Sequence, residues 1–177
     1  MTRYAGRRAV VVGQDTGIGL AIAKRLVEGG AQVLLTARTA EERAHAGAEL
    51  GSAARVVETA DGLAGAEGAD LLFADAVATA RPLLPHLRDG GAVVLTAPAP
   101  PSAAVRALAA ELVSRSIRVN AVAPGCIGAA PSDTAPLPPL GRLGSAEEVA
   151  RAALFLATEA TFTTGAQLPV DGGIGHS

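Results

Sequence analysis

The 177 residues carry a formal net charge of −2, 49% apolar residues and a single cysteine. The length suits one domain, residues 1–177, with a real core, and the charge gives no reason to expect nucleic acid or an anionic membrane surface as partner. No run approaches the roughly 18 apolar residues of a membrane span, no leader peptide is read ahead of the first strand, and a lone Cys126 excludes an internal disulfide framework and points to a reducing, cytoplasmic setting.

Strand-like and helix-like segments alternate along the chain, the pattern of a parallel sheet covered by helices. Residues 8–12 (Arg-Ala-Val-Val-Val) form a short β-branched run suited to a strand buried on both faces. Residues 17–28 predict a helix stopped by Gly29-Gly30. A strand over 32–37 follows, then a polar helix over 39–50 capped by Thr39 with Glu42 three residues on. Strands are expected at 55–58 and 70–74. A short helix over 82–88 ends at Asp89-Gly90-Gly91, before a strand at 92–96. Ser102 is expected to cap a helix with Val105, Leu108, Leu112 and Val113 on one face. A strand over 117–122 stops at Pro124-Gly125. The Pro-rich stretch 126–140 is expected to be a lid or substrate-side flap. Ser145, with Glu148 in the box position, opens a helix running to Thr158, and 167–170 is the last strand.

The first strand-to-helix turn reads Gly13-Gln14-Asp15-Thr16-Gly17-Ile18-Gly19. Glycines at such a turn let backbone N–H groups approach a pyrophosphate, and the helix N-terminus adds favourable partial charge. The competing reading is a tight structural turn. Three further segments stand out: Ser116-Ile-Arg-Val-Asn-Ala-Val-Ala-Pro-Gly125, Leu140-Gly-Arg-Leu-Gly-Ser-Ala-Glu-Glu-Val-Ala150 with Phe155-Leu-Ala-Thr158, and Thr164-Gly165 with Val170-Asp171-Gly172-Gly173.

Together with the Gly-x-x-x-Gly-x-Gly spacing, these segments resemble the short-chain dehydrogenase/reductase (SDR) family at both ends of the chain. The resemblance implies an α/β fold: a single doubly wound parallel sheet of Rossmann type, strand order 3-2-1-4-5-6-7, with shortened central helices. It implies a nicotinamide cofactor, NADP or NAD, near Gly13, Asp15, Gly17, Ile18 and Gly19. Arg38 stands where NADP-preferring members often place a base for the 2′-phosphate, Ala37 where NAD-preferring members place an acid, and Asp61 where the family contacts adenine. Asp15 replaces a small hydroxyl residue; its carboxylate opposes a 2′-phosphate and suits a ribose hydroxyl. Arg38 and Asp61 also read as ordinary solvated charges.

The chain departs from the family in its chemistry. The family's Tyr transfers a proton, its Lys lowers that phenol's pKa, and its Ser orients the carbonyl. This chain holds one tyrosine, Tyr4, ahead of the first strand, and one lysine, Lys24, inside the first helix. Pro98 falls at the Ser position, two residues beyond Thr96. Only 21 residues separate Pro98 from Asn120, so the Tyr-x-x-x-Lys segment falls in a deletion. A second deletion follows Asp75, and the family's Asn-Asn-Ala-Gly is Ala74-Asp75-Ala76-Val77. Ala129 replaces the Thr that holds the nicotinamide amide.

Family strand order sets Asp15 and Asp75 on one crevice, where a coupled carboxylate pair could work as acid and base. The alternative has Asp15 capping the helix and Asp75 bonding loop amides. Cys126 reads as a small buried residue before it reads as a nucleophile, His86 and His176 as solvated or core-edge residues, and no metal site is expected. Three functions compete. The first is an atypical SDR-like protein that binds a nucleotide or small molecule, with non-redox catalysis such as isomerisation, dehydration or cyclisation. The second is an NAD(P)-dependent oxidoreductase with a non-classical mechanism. The third is a non-catalytic interaction subunit of a full-length SDR. A homo-oligomer is expected through the helix 147–158 and the strand 167–170.

Overall fold

The short apolar runs read as strands do pair, and all in parallel. A computed structural model of the chain describes residues 3–12, 17–58, 66–96, 101–128 and 137–176. Within them lie β1 (Arg8–Val12), β2 (Gln32–Ala37), β3 (Ala54–Glu58), β4 (Ala69–Ala74), β5 (Leu87–Leu95), β6 (Arg118–Pro124) and β7 (Gln167–Val170). They form one seven-stranded sheet in the order β3-β2-β1-β4-β5-β6-β7, as the resemblance implies.

Side-chain alternation along the strands divides the core in two. Val11, Leu35, Phe73, Val94 and Val122 face α1 (Ile18–Glu28), α2 (Ala40–Leu50) and α5 (Ala146–Thr158). Val10, Leu34, Leu72, Val93, Leu95 and Val119 face the other way, toward α3 (Val77–Ala80) and α4 (Ser102–Leu112). Burial on both faces explains why the strands read as unbroken apolar runs.

Two helix starts follow their sequence signals. The Thr39 hydroxyl accepts from the Glu42 amide at 3.1 Å. Ser145 and Glu148 form a reciprocal capping box at α5. Arg142 closes on the Glu148 carboxylate at 2.7 Å, and with the Ser145 amide it holds that carboxyl down at about 2.

Two expectations need correction. Residues 82–88 are not an α-helix: α3 spans only Val77–Ala80, and a 3₁₀ segment, Arg81–His86, carries Pro82 and Pro85 into β5. Pro85 has no N–H for an α-helical ladder, and its ring clashes with the preceding turn. Asp89-Gly90-Gly91 then lies inside β5 rather than ahead of it. Pairing jumps from Ala69↔Leu87 to Leu71↔Ala92, so β5 bulges there. A Cβ on Gly91 would sit 2.9 Å from the Arg88 carbonyl and 3.0 Å from that of Asp70. The bulge therefore needs a glycine. The second correction concerns Ser102, which is the first residue of α4 and not its cap. The Pro101 carbonyl accepts from the amides of Ala104 (2.8 Å) and Val105 (3.2 Å), and proline's fixed φ, here −56°, already suits a helix entry.

Tyr4 is a core residue, 6% exposed, and its amide donates to the Gly29 carbonyl at 2.7 Å. A Cβ on Gly29 would fall 2.2 Å from the Tyr4 ring, so the glycine ending α1 is demanded by the phenol packed on it. Gly29→Ala is expected to cost about 1–3 kcal/mol by overpacking. Adding Tyr4→Ala should then cost less than Tyr4→Ala costs in the parent chain. Urea unfolding of the two single variants and the double variant checks this, and simple additivity would disprove the contact.

Candidate nucleotide crevice

Strand order reverses beside β1: β2 lies on one side of it and β4 on the other. In an open α/β sheet ligands settle beyond the carboxyl ends at that point. Gly17 stands there as the N-cap of α1, at φ 70° and ψ −9°, with no side-chain cap bond. A Cβ on it would only reach 4.0 Å from Ala146 Cβ, so the left-handed backbone is what calls for glycine, not lack of room. The first turn of α1 carries no acidic residue. Its amino end therefore presents backbone donors and positive dipole to the crevice. Ile18 is 3% exposed and packs in the core, so it can contribute only through its backbone. Gly19 follows it in the first turn of the helix.

Arg38 ends up at the carboxyl edge of β2, as expected, but it is engaged. Its amide donates to Glu42 Oε2 at 2.9 Å and its Nη2 to Glu42 Oε1 at 3.1 Å. The carboxylate that helps start α2 thus sits on the cation that the family resemblance sets at the 2′-phosphate position.

Asp75 follows β4 at the same end of the sheet, half-buried, with its Oδ1 buried and without a hydrogen-bond partner among the described residues. Such an oxygen is costly to leave unpaired. Beside it, Thr96 ties the strand ends together: its amide donates to the Ala74 carbonyl at 2.8 Å and its hydroxyl to the same oxygen at 3.4 Å. Gly13, Asp15 and Asp61, with Pro98 and Ala129, lie outside the described residues. The Asp15–Asp75 pairing is therefore not described.

The two residues needed for a phenol–ammonium relay are elsewhere. Tyr4 packs at the carboxyl end of α1, the end away from the crevice. An 11-residue helix rises about 16 Å. Lys24 pairs with Glu49 of α2, which raises the ammonium pKa and lowers that of the carboxyl. His86 precedes β5, at the amino end of the sheet, and is not in the crevice. Cys126 is exposed and lines a cavity of about 400 Å³ with Arg142, Glu148 and Asp171. A larger space of about 580 Å³ opens at the amino ends of β1 to β4, between Arg8, Gln32, Ala54 and Ala69, far from the glycine turn.

The motifs that carry the resemblance near the carboxyl terminus turn out to be fasteners. Asn120, 1% exposed, donates from Nδ2 to the Thr163 carbonyl at 2.9 Å and accepts at Oδ1 from the Ala166 amide at 3.0 Å. Thr164 Oγ1 accepts from the Val119 amide at 3.0 Å. Asp171 accepts from the amides of Gly173 and Gly175. Arg118 donates to the carbonyls of Leu156 (2.7 Å), Ala157 (2.6 Å) and Ala160 (3.0 Å), closing the end of α5. The sequence signal was available: a polar residue inside an apolar strand is expected to be fully paired.

Comparison with known proteins agrees with this architecture. The "short chain dehydrogenase" family model matches residues 7–83, and the "Enoyl-(Acyl carrier protein) reductase" model matches residues 89–175. The two matches meet at the β4–β5 connection. A curated relative, 3-oxoacyl-[acyl-carrier-protein] reductase FabG of Pseudomonas aeruginosa, is 49% identical over 81 residues, 39% of this chain and 32% of its own length. The chain thus matches about a third of the length of relatives of that kind. Oxidoreductase asL5 of Sarocladium schorii is 30% identical across 97% of both chains, over 241 aligned residues. That span exceeds the 177 residues available, so the alignment closes over gaps in this chain. A solved short chain dehydrogenase/reductase family protein superimposes with a TM-score of 0.81 at 28% identity, covering 96% of this chain and 97% of its own. The chain belongs to the short-chain dehydrogenase/reductase family.

Proposed function

We propose that this chain binds a nucleotide or nucleotide-like small molecule in the crevice between β1 and β4 and does not carry out SDR carbonyl reduction by a Tyr–Lys relay. The observation that carries this reading is the position of Tyr4: the sole phenol is packed on Gly29 at the far end of α1. Among the described residues, the N-cap Gly17 of the same helix makes no side-chain cap bond and its first turn holds no acid, which suits a pyrophosphate. NAD(P), which the family implies, fits this pyrophosphate position through the backbone of Gly17, Ile18 and Gly19. When bound it would supply a hydride. On the protein's side, Asp75 stands at that end of β4 with an oxygen that has no hydrogen-bond partner among the described residues, and it is the residue we assign to hold or move a proton in non-redox chemistry such as isomerisation, dehydration or cyclisation. The competing reading, reduction by orientation of hydride and substrate alone, needs no Tyr acid, since positioning supplies several kcal/mol by itself.

Fluorescence titration with NADH and NADPH is expected to show saturable binding, with carbonyl reduction followed at 340 nm at background level. Robust reduction that survives Tyr4→Phe and Lys24→Ala would overturn the non-redox reading and favour the second. No nucleotide binding would favour an interaction subunit.

Glu42 sets the balance between the two cofactors. Glu42→Gln removes one ion-pair partner of Arg38, and an exposed pair of this kind is worth up to about 1 kcal/mol. NADPH affinity is expected to rise by up to about five-fold in the variant while NADH affinity stays level. Equal changes for both would show that Arg38 does not face the 2′-phosphate.

We also infer, with cytoplasmic residence, self-association through α5 and β7. β7 forms the sheet edge, and Phe155 of α5 and the nearby Phe162 are 47% and 105% exposed. Sedimentation should report a dimer or larger assembly that Phe155→Glu dissociates; a monomeric parent chain would refute this.

A further inference from the structure

At the amino ends of β4, β5 and β6, opposite the nucleotide crevice, four arginines gather around one carboxylate. Asp70, its side chain 13% exposed, accepts from the Arg8 amide at 2.8 Å and from Arg88 Nη1 at 3.4 Å, while Arg7 Nη1 stands 3.9 Å away. The Arg8 and Arg88 guanidiniums also lie close to one another across Gly68, where a Cβ would meet Arg88 Nε at 3.2 Å and Arg8 Nη1 at 3.5 Å. Asp70 is therefore committed on its Arg8 and Arg88 side, and Arg7 gets only a long contact from it.

On the other side of Asp70 a cavity of about 270 Å³ opens, lined by Arg7, Asp70, Ser116, Arg118 and Thr161 among others. Arg118 contributes three donor bonds to carbonyls at the end of α5 and has no carboxylate partner among the described residues. A guanidinium has five N–H donors, so two of its five remain. Burial and the neighbouring Arg7 charge both pull its pKa below the ordinary arginine value, the mark of a cation lacking compensation. Ser116 adds a hydroxyl from a backbone at φ 54°, a left-handed position that L-residues adopt only at a cost. Two guanidiniums and two hydroxyls thus converge on a concave space with a local excess of positive charge.

We propose that this cavity is a binding site for a small tetrahedral oxyanion, a free phosphate or the phosphate group of a small metabolite, gripped by Arg7 and Arg118. A phosphate accepts several charge-assisted hydrogen bonds at once, the combination these donors offer. Asp70 opposes the ligand from the cavity wall and sets its affinity.

The test is calorimetric titration of the whole chain with inorganic phosphate at neutral pH, with ionic strength held constant by chloride. Saturable one-to-one binding is expected. Arg7→Ala, at a half-exposed residue, should weaken it about ten-fold, with circular dichroism expected to match the parent chain. Asp70→Asn retains an acceptor for the Arg8 amide but removes the opposing charge, and should tighten phosphate binding several-fold. A merely structural role for the cluster predicts no such opposite signs. Phosphate affinity unchanged in Arg7→Ala would place any binding elsewhere, including at the α1 amino end, and would overturn the proposal. So would absence of saturable binding in the parent chain. A glucose-6-phosphate titration separates the sources: binding comparable to inorganic phosphate indicates a metabolite's phosphate, and its exclusion indicates the free ion.

Discussion

A parallel sheet leaves no strand free to fold straight back on its neighbour, so each pairing must be closed by a crossover that climbs over one face. The described elements of this chain answer to that requirement. Residues 75–86 carry the chain from the end of β4 to the start of β5, about the dozen residues such a return needs, and they spend them on one helical turn and a proline-bearing 3₁₀ segment. The β5 bulge at Gly90-Gly91 then takes up the residual mismatch in register. Among the described residues the sheet has seven strands, and its second face is covered by α3, α4 and Leu83 and Leu84 of the 3₁₀ segment.

That economy separates architecture from chemistry. The family's carboxyl-terminal motifs persist here as hydrogen-bonding hardware: Asn120 joins β6 to the turn before β7, and Arg118 closes the last carbonyls of α5. Removing either would leave buried polar groups unpaired. Nothing of that kind protects a catalytic side chain, whose loss the fold can absorb. A hydrogen-bonded framework can therefore carry a recognisable family signature independently of any proton relay. Tyr4 shows the same logic from the other side, as a phenol retained for its ring and its burial against Gly29.

Fold and site were legible in the sequence to different degrees. β1, β2 and β7 fall on the residues their apolar runs indicate, because a strand buried on both faces has little else to be. The end of α5 and its Ser145–Glu148 box were equally plain. The β4–β5 connection was not, since Pro82 and Pro85 sit in a helix-like composition and only the missing N–H reveals the tighter turn. At the crevice, Gly17 was readable from spacing and Arg38 from its place after β2. The pairing of Arg38 with Glu42 was hidden by the capping role already given to Glu42. The arginine cluster at the opposite end escaped notice because its members are scattered from Arg7 to Arg118 and meet only through the sheet's strand order.

The exit of β6 and the segment after β7 are in closer contact than any side chain would permit. A Cβ on Gly125 would lie 2.7 Å from Asp171 Cα, and the Gly125 amide donates to Val170 at 3.0 Å. Ile127 is bridged in turn to Gly144, just ahead of α5. These three stretches are thus joined backbone to backbone, which ties the rim of the Cys126 cavity to the root of α5, the helix that presents Phe155 to the outside.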